Sequence, residues 1–142
     1  MSVISQNLAN RTAIVTGSAQ GIGKAIAQRL AKAGATVAIA DLNLENAKKT
    51  AQEIGNNAIA IHLDVSNAQS VQQAIDICLS QWQHIDILVN NAGIVGSGTP
   101  VKDLTEEDWH NVLSINLTGV FLCARAVLPT MLAQKKGAIV SV

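Results

Sequence analysis

The stretch Thr12-Ala-Ile-Val-Thr-Gly-Ser-Ala-Gln-Gly-Ile-Gly23 decides the fold. Thr12 to Thr16 is a short β-favouring run. From Gly21 to Ala33, apolar residues recur at Ile22, Ala25, Ile26, Leu30 and Ala33, which is helical spacing. A strand therefore runs through a glycine-rich turn straight into a helix. Gly17 permits the tight turn, Gly21 lets backbone approach a phosphate, and Gly23 lets the helix pack closely on the strand. The helix start offers free N–H groups and a partial positive charge, which suits a pyrophosphate. Glycines alone would be an ordinary turn, and it is the strand before and the helix after that point to a nucleotide. The competing phosphate loop, G-x-x-x-x-G-K-[ST], fails at both ends, because Ser18 stands at its first glycine and Ala25 follows Lys24.

Outward from this turn, strands and helices alternate. Gly34 closes the first helix, and Ala35 to Ala40 is a strand ending at Asp41. Leu44 to Ile54 is a polar-faced helix closed by Gly55. Ala58 to Leu63 is a strand ending at Asp64, and Val71 to Trp82 is a helix that starts near Ser66 or Asn67. Ile85 to Val89 is a strand ending at Asn90, followed by a loop rich in Gly and Ser. Thr105-Glu-Glu-Asp108 reads as a capping box before one long helix to about Gln134, and Gly137 to Val142 begins a fifth strand. Strands that are near-continuous apolar runs mean a parallel sheet covered on both faces. Right-handed crossovers make it an α/β, doubly wound (Rossmann) sheet in one dinucleotide-binding domain spanning residues 1–142.

Ligands of such sheets sit outside the carboxyl ends of the strands. Asp41 ends the second strand roughly 20 residues past the last glycine, where a carboxylate accepts the hydroxyls of an adenosine ribose and repels a 2′-phosphate. Ser18 and Leu42, the neighbours that could supply a basic clamp, are uncharged, which favours NAD over NADP. Asp64-Val65 and Asn90-Asn91-Ala92-Gly93 end the next two strands. Each would be a common turn alone, but together they line the adenine and ribose side of one crevice. The expected cofactor-binding set is Gly17, Ser18, Gln20, Gly21, Ile22, Gly23, Asp41, Leu42, Asp64, Val65, Asn91, Ala92 and Gly93.

Composition narrows the remaining classes. Ten Lys and Arg balance ten Asp and Glu, leaving no electrostatic footprint for nucleic acid or an anionic membrane. The longest charge-free apolar stretch, Trp109 to Ala124, is shorter than the roughly 18–20 residues of a span and is broken by His110, Asn111, Ser114 and Asn116. Cys78 and Cys123 lie in apolar helical contexts and read as buried small hydrophobes in a reducing cytoplasm. No spacing of the histidines makes a metal set. His62 is expected to point at a neighbouring helix, and Trp82 and Trp109 to pack at helix ends.

The combination Thr16-Gly-Ser-Ala-Gln-Gly-Ile-Gly23, Asp41, Asp64-Val65, Asn90-Asn-Ala-Gly93, Asn116 and Gly137-Ala-Ile-Val140 resembles the short-chain dehydrogenase/reductase family over the whole chain. The resemblance implies an NAD(H)-dependent oxidoreductase acting on a small-molecule secondary alcohol or ketone. It assigns Asn91, Ala92 and Gly93 to sheet stability and adenosine contact. Asn116 becomes the asparagine that holds a water in the proton relay, the one catalytic residue expected here. It also implies a homo-oligomer through the helix over residues 105–134, whose segment Leu117 to Ala124 is apolar nearly all round and is expected to be buried on more than one side.

The family's chemistry also needs a serine, a tyrosine and a lysine. The serine is expected about two residues after Val142, Ser141 lies too early, Lys135 and Lys136 precede the strand, and the chain contains no tyrosine. The 142 residues are therefore expected to be part of a longer protein, inactive alone, with an open apolar edge at the fifth strand. The alternative is a non-catalytic dinucleotide-binding module, or an inactive fragment.

Overall fold

The computed structural model describes residues 7–142. The elements run β1 (Thr12–Thr16), α1 (Gly21–Lys32), β2 (Thr36–Asp41), α2 (Leu44–Ile54), β3 (Ala58–His62), α3 (Ala68–Trp82), β4 (Ile87–Asn90), α4 (Glu106–Leu113), a π-helical turn (Ser114–Thr118), α5 (Gly119–Gln134) and β5 (Ala138–Ser141). The five strands form one parallel sheet in the order β3-β2-β1-β4-β5. Strand order therefore reverses between β1 and β4, and a crevice opens at their carboxyl ends, where this topology binds ligands.

Alternation along each strand feeds two cores. Ile14, Ala38, Ala40, Ile61 and Leu88 pack on one face with Val71, Ile75 and Cys78 of α3 and with Leu122, Cys123, Val127 and Met131 of α5. Ala13, Val15, Val37, Ile39 and Val89 pack on the other face with Ala27, Ala47 and Ala51 of α1 and α2. Both faces are covered, so every residue of β1 is buried, the apolar Ala13 to Val15 and the threonines at its two ends alike.

Helix ends follow their local chemistry. At the end of α1, Gly34 takes φ +103, with Gly34 N–H donating to Ala31 C=O and Ala35 N–H to Leu30 C=O, a Schellman ending. Asn43 and Asn67 cap α2 and α3 by accepting from Asn46 N–H and Ser70 N–H. Thr105 accepts from Asp108 N–H, forming half of the expected box. The Asp108 carboxylate then accepts from the Thr105 hydroxyl at 2.7 Å, since aspartate is one methylene shorter than the glutamate that reaches the cap N–H.

Several expectations change. The long helix is interrupted by the π turn centred on Asn116. With scattered charges tolerated, Glu106–Gln134 is long and apolar enough to cross a membrane by length and composition, because the apolar pattern continues past the lone Arg125. In the fold, one face of α5 packs on the sheet, while Leu117, Phe121, Leu128 and Leu132 are exposed in this chain. Within this chain the helix is buried on one side. His62 is exposed, at the end of β3, which lies at the edge of the sheet formed by the described residues. Trp82 packs against the core, whereas Trp109 is exposed. The β5 strand is exposed along its whole length at the other edge.

Candidate functional site

The crevice at the switch point has a volume of about 400 Å³. Its floor is the turn after β1. Gly17 has φ +63, and a Cβ there would stand 2.8 Å from Ala92 Cα, so only glycine lets the two strand-end loops meet. Gly21 has φ +60 with nothing within 4 Å of a would-be Cβ, so it faces open space. A Cβ on Gly23 would collide with the Asn91 amide and the Gly17 carbonyl. The three glycines thus sit at a tight turn, in open space and in close packing.

Thr16 joins the two loops. Its hydroxyl accepts from Asn91 N–H at 3.0 Å and Ala92 N–H at 2.9 Å, and the Asn91 amide donates to the Thr16 and Gly17 carbonyls. The turn is pinned elsewhere too. Ser18 Oγ donates to Val15 C=O and accepts from Ala40 N–H, and the buried Thr50 hydroxyl of α2 donates to Ala19 C=O.

Asp41 stands at the mouth. Its Oδ2 accepts from Ala19 N–H at 3.0 Å and its Oδ1 from Asn43 N–H at 2.9 Å. Each oxygen keeps a further lone pair for a hydroxyl. Asp64 Oδ1 accepts from both Ser66 N–H and the Ser66 hydroxyl, which leaves Oδ2 without a partner among the described residues. Among the described residues, no lysine or arginine lines the crevice. Its positive pole is instead the start of α1. Gln20 makes no side-chain cap, and no acidic residue lies in the first turn, so the orphan N–H groups there are left for a ligand. The first turns of α2, α3 and α4, by contrast, are capped. An uncapped glycine-rich helix start, open space at Gly21 and a fixed carboxylate at the next strand end together fit a dinucleotide.

Of the residues expected to bind it, Gly17, Gln20, Gly21, Ile22, Gly23, Asp41, Leu42, Asp64, Val65, Asn91, Ala92 and Gly93 line the crevice. Ser18 does not. It is fully buried and holds β1 to β2, so its side chain faces the protein. Asn116 lies outside the lining and braces the loop after β4, with Oδ1 accepting from Ile94 N–H at 2.8 Å and Nδ2 donating to Ile94 C=O at 2.9 Å. Leu63, Ile94 and Ile115 line the crevice unforeseen. Leu63 directly precedes Asp64 and was legible as part of a strand end, whereas Ile115 arrives only through the packing of the π turn.

Comparison with known proteins agrees with this geometry. A family profile described as short chain dehydrogenase matches residues 11–142. A sorbitol dehydrogenase of Cereibacter sphaeroides is 43% identical over 92% of this chain and 50% of its own length. A D-threitol dehydrogenase of Mycolicibacterium smegmatis is 43% identical over 94% and 52%. A 3-oxoacyl-[acyl-carrier-protein] reductase of Synechocystis is 41% identical over 95% and 56%. The crystal structure of gox2181 superposes with a TM-score of 0.94 at 42% identity, covering 97% of this chain and 55% of that one. The chain spans about half the length of the curated relatives it matches. The chain belongs to the short-chain dehydrogenase family.

Proposed function

We propose that this chain is the cofactor-binding part of an NAD(H)-dependent oxidoreductase that interconverts a small-molecule secondary alcohol and a ketone. The observation that carries the cofactor reading is the Asp41 carboxylate, held by two backbone N–H groups beside the uncapped start of α1, in a crevice without a basic residue. The N–H groups at the start of α1 hold the pyrophosphate. Asp41 accepts from the adenosine ribose and repels a 2′-phosphate. Leu42, Asp64 and Val65 would hold the adenosine end, with Asp64 Oδ2 free to accept a hydrogen bond there. A nicotinamide cofactor held in this crevice would supply or take the hydride. Asn116 fixes the loop after β4 and supports a water in the proton path.

The reaction class is supported by relatives named as polyol dehydrogenases and as an acyl-carrier reductase. The exposed stripe Leu117, Phe121, Leu128 and Leu132 supports a homo-oligomeric contact through this helix, and two buried free thiols support a reducing cytoplasm. Cell fractionation that recovers the protein outside the cytoplasm would remove the last of these.

Calorimetric titration of the full-length polypeptide is expected to show NAD binding at least about tenfold more tightly than NADP, with Asp41→Ser closing the gap. Equal affinity in the unmutated protein refutes the NAD reading. The absence of tyrosine from these 142 residues favours a second reading, a binding module without chemistry. Turnover decides between the two. Ketone-dependent NADH oxidation by the full-length protein, and none by residues 1–142 alone, supports the enzyme, whereas its absence from both supports the module.

A further inference from the structure

We propose that Thr50 is a positioning residue for the Asp41 carboxylate, and through it sets the preference for a dinucleotide whose adenosine ribose carries a free 2′-hydroxyl. The proposal rests on the reading of Asp41 given above. Thr50 lies in the interior of α2, between the core residues Ala47 and Ala51, and is 2% exposed. Threonine is a weak helix former, and inside a helix its hydroxyl commonly turns back to the carbonyl four residues earlier, here that of Asn46. Thr50 instead donates across the fold to Ala19 C=O, at 2.8 Å and a sequence separation of 31. Packing alone would be served by alanine or valine.

Ala19 is gripped on both of its polar groups. Its carbonyl accepts from Thr50, and its N–H donates to Asp41 Oδ2. With Ser18 anchored to Val15 and Ala40 next door, the Ala19 N–H has a fixed direction. That direction in turn fixes the rotation of the Asp41 carboxylate, whose other oxygen is held by Asn43 N–H. The path thus runs from the Thr50 hydroxyl on the buried side of α2 to the Ala19–Gln20 peptide, whose carbonyl it holds, and across the Ala19 Cα to the Ser18–Ala19 peptide, whose N–H holds Asp41 at the crevice mouth. Without the hydroxyl, Ala19 C=O is left buried and unpartnered, the Ala19–Gln20 peptide turns to find water, and the accompanying change in the Ala19 backbone torsions re-aims the N–H of the preceding peptide, so that the carboxylate loses the orientation in which both oxygens can accept from a ribose.

The consequence is selective. NAD and NADP share the pyrophosphate, which the loop and the start of α1 hold, but only NAD uses both acceptor positions on Asp41. In the full-length protein, calorimetry with NAD and with NADP as separate ligands is expected to show Thr50→Val weakening NAD about tenfold while NADP changes less than about twofold, and Thr50→Ser restoring the native ratio. If Thr50→Val does not fold, Thr50→Ala measured against Thr50→Ser isolates the hydroxyl in a smaller side chain, with the same ratio as readout. Equal weakening of both ligands means a merely structural role and overturns the proposal, as does a serine variant that behaves like the valine or alanine one. A wild-type protein without NAD preference defeats the reading of Asp41 itself. A preference that Asp41→Ser abolishes and Thr50→Val leaves intact defeats only the role of Thr50.

Discussion

Thr16 carries more of the site than its side chain advertises. One hydroxyl, 1% exposed on its residue, accepts from two consecutive backbone N–H groups of the loop after β4. Thr16→Val keeps the shape and removes the acceptor, leaving two half-buried donors unpartnered. It is expected to lower stability by about 2–3 kcal/mol and Thr16→Ser by less than about 1 kcal/mol, as read by urea unfolding. An equal loss in both variants would show that the methyl, not the hydroxyl, matters. Asn116 presents a similar case. Asn116→Ala releases Ile94 from both sides and, on the proposed proton-path role, is expected to lower kcat of the full-length protein by about 10²-fold; steady-state kinetics showing unchanged turnover would contradict that role. Thr16 stands inside the stretch that decides the fold, yet its role was not legible there, because its partner Asn91 lies 75 residues away. Ser18 misled for the same reason. Its position in the loop was legible, but the direction of its side chain depends on where β2 lies.

At the scale of elements, strands and helices were legible because apolar periodicity and capping are local. Asn67, Gly34 and Gly55 mark ends that the structure keeps. The π turn was not legible. Ser114 to Thr118 continues the apolar helical pattern, and the extra residue per turn is accommodated by contacts from elsewhere: Asn116 against Ile94, and Gly119 so close to Val65 that a Cβ would stand 2.7 Å from its side chain. Beyond that turn, α5 carries two apolar faces. One is packed, and on the other Phe121 lies under Arg125, whose guanidinium carbon is 4.8 Å from the ring centroid. If this stripe is the subunit contact, Phe121→Asp is expected to raise the dissociation constant of the oligomer at least about tenfold. Light scattering of the full-length protein checks this, and an unchanged mass down to the lowest measurable concentration would place the contact elsewhere.

Across the whole molecule, the crevice occupies one end of the sheet and an ionic cluster the other. Asp86 is almost completely buried, just before β4. It accepts from Thr12 N–H at 3.0 Å and from Arg11 at 3.1 Å, with His84 at 3.3 Å and Lys136 at 3.6 Å. It thereby ties the starts of β1 and β4 to the approach to β5, whose Ala138 N–H donates to Asp86 C=O. Burial alone pushes the carboxyl up. The Thr12 N–H, the Arg11 guanidinium and the nearby His84 and Lys136 outweigh it and hold the group below the usual carboxylate value. A depressed folded value means that this stability is fully present above the ordinary carboxylate value of 3.8 and is lost as pH falls through the folded value. Asp86→Asn is accordingly expected to cost about 1–3 kcal/mol at pH 7, with the difference from wild type shrinking below about pH 4. Denaturant unfolding at both pH values measures it, and a difference that does not vary with pH would remove the charge from the explanation.

The sequence by itself determined the alternation of strands and helices, the parallel doubly wound sheet, the glycine turn and the strand-end carboxylates. Those follow from periodicity, from backbone conformations open chiefly to glycine, and from the rule that ligands meet such sheets at their carboxyl ends. Tertiary structure alone decided which polar side chains face the crevice and which brace it. Thr16, Ser18, Thr50, Asp86 and Asn116 all act through partners on other elements. A hydrogen bond between residues far apart in sequence leaves no local pattern, because its geometry exists only once the sheet order has brought the two elements together.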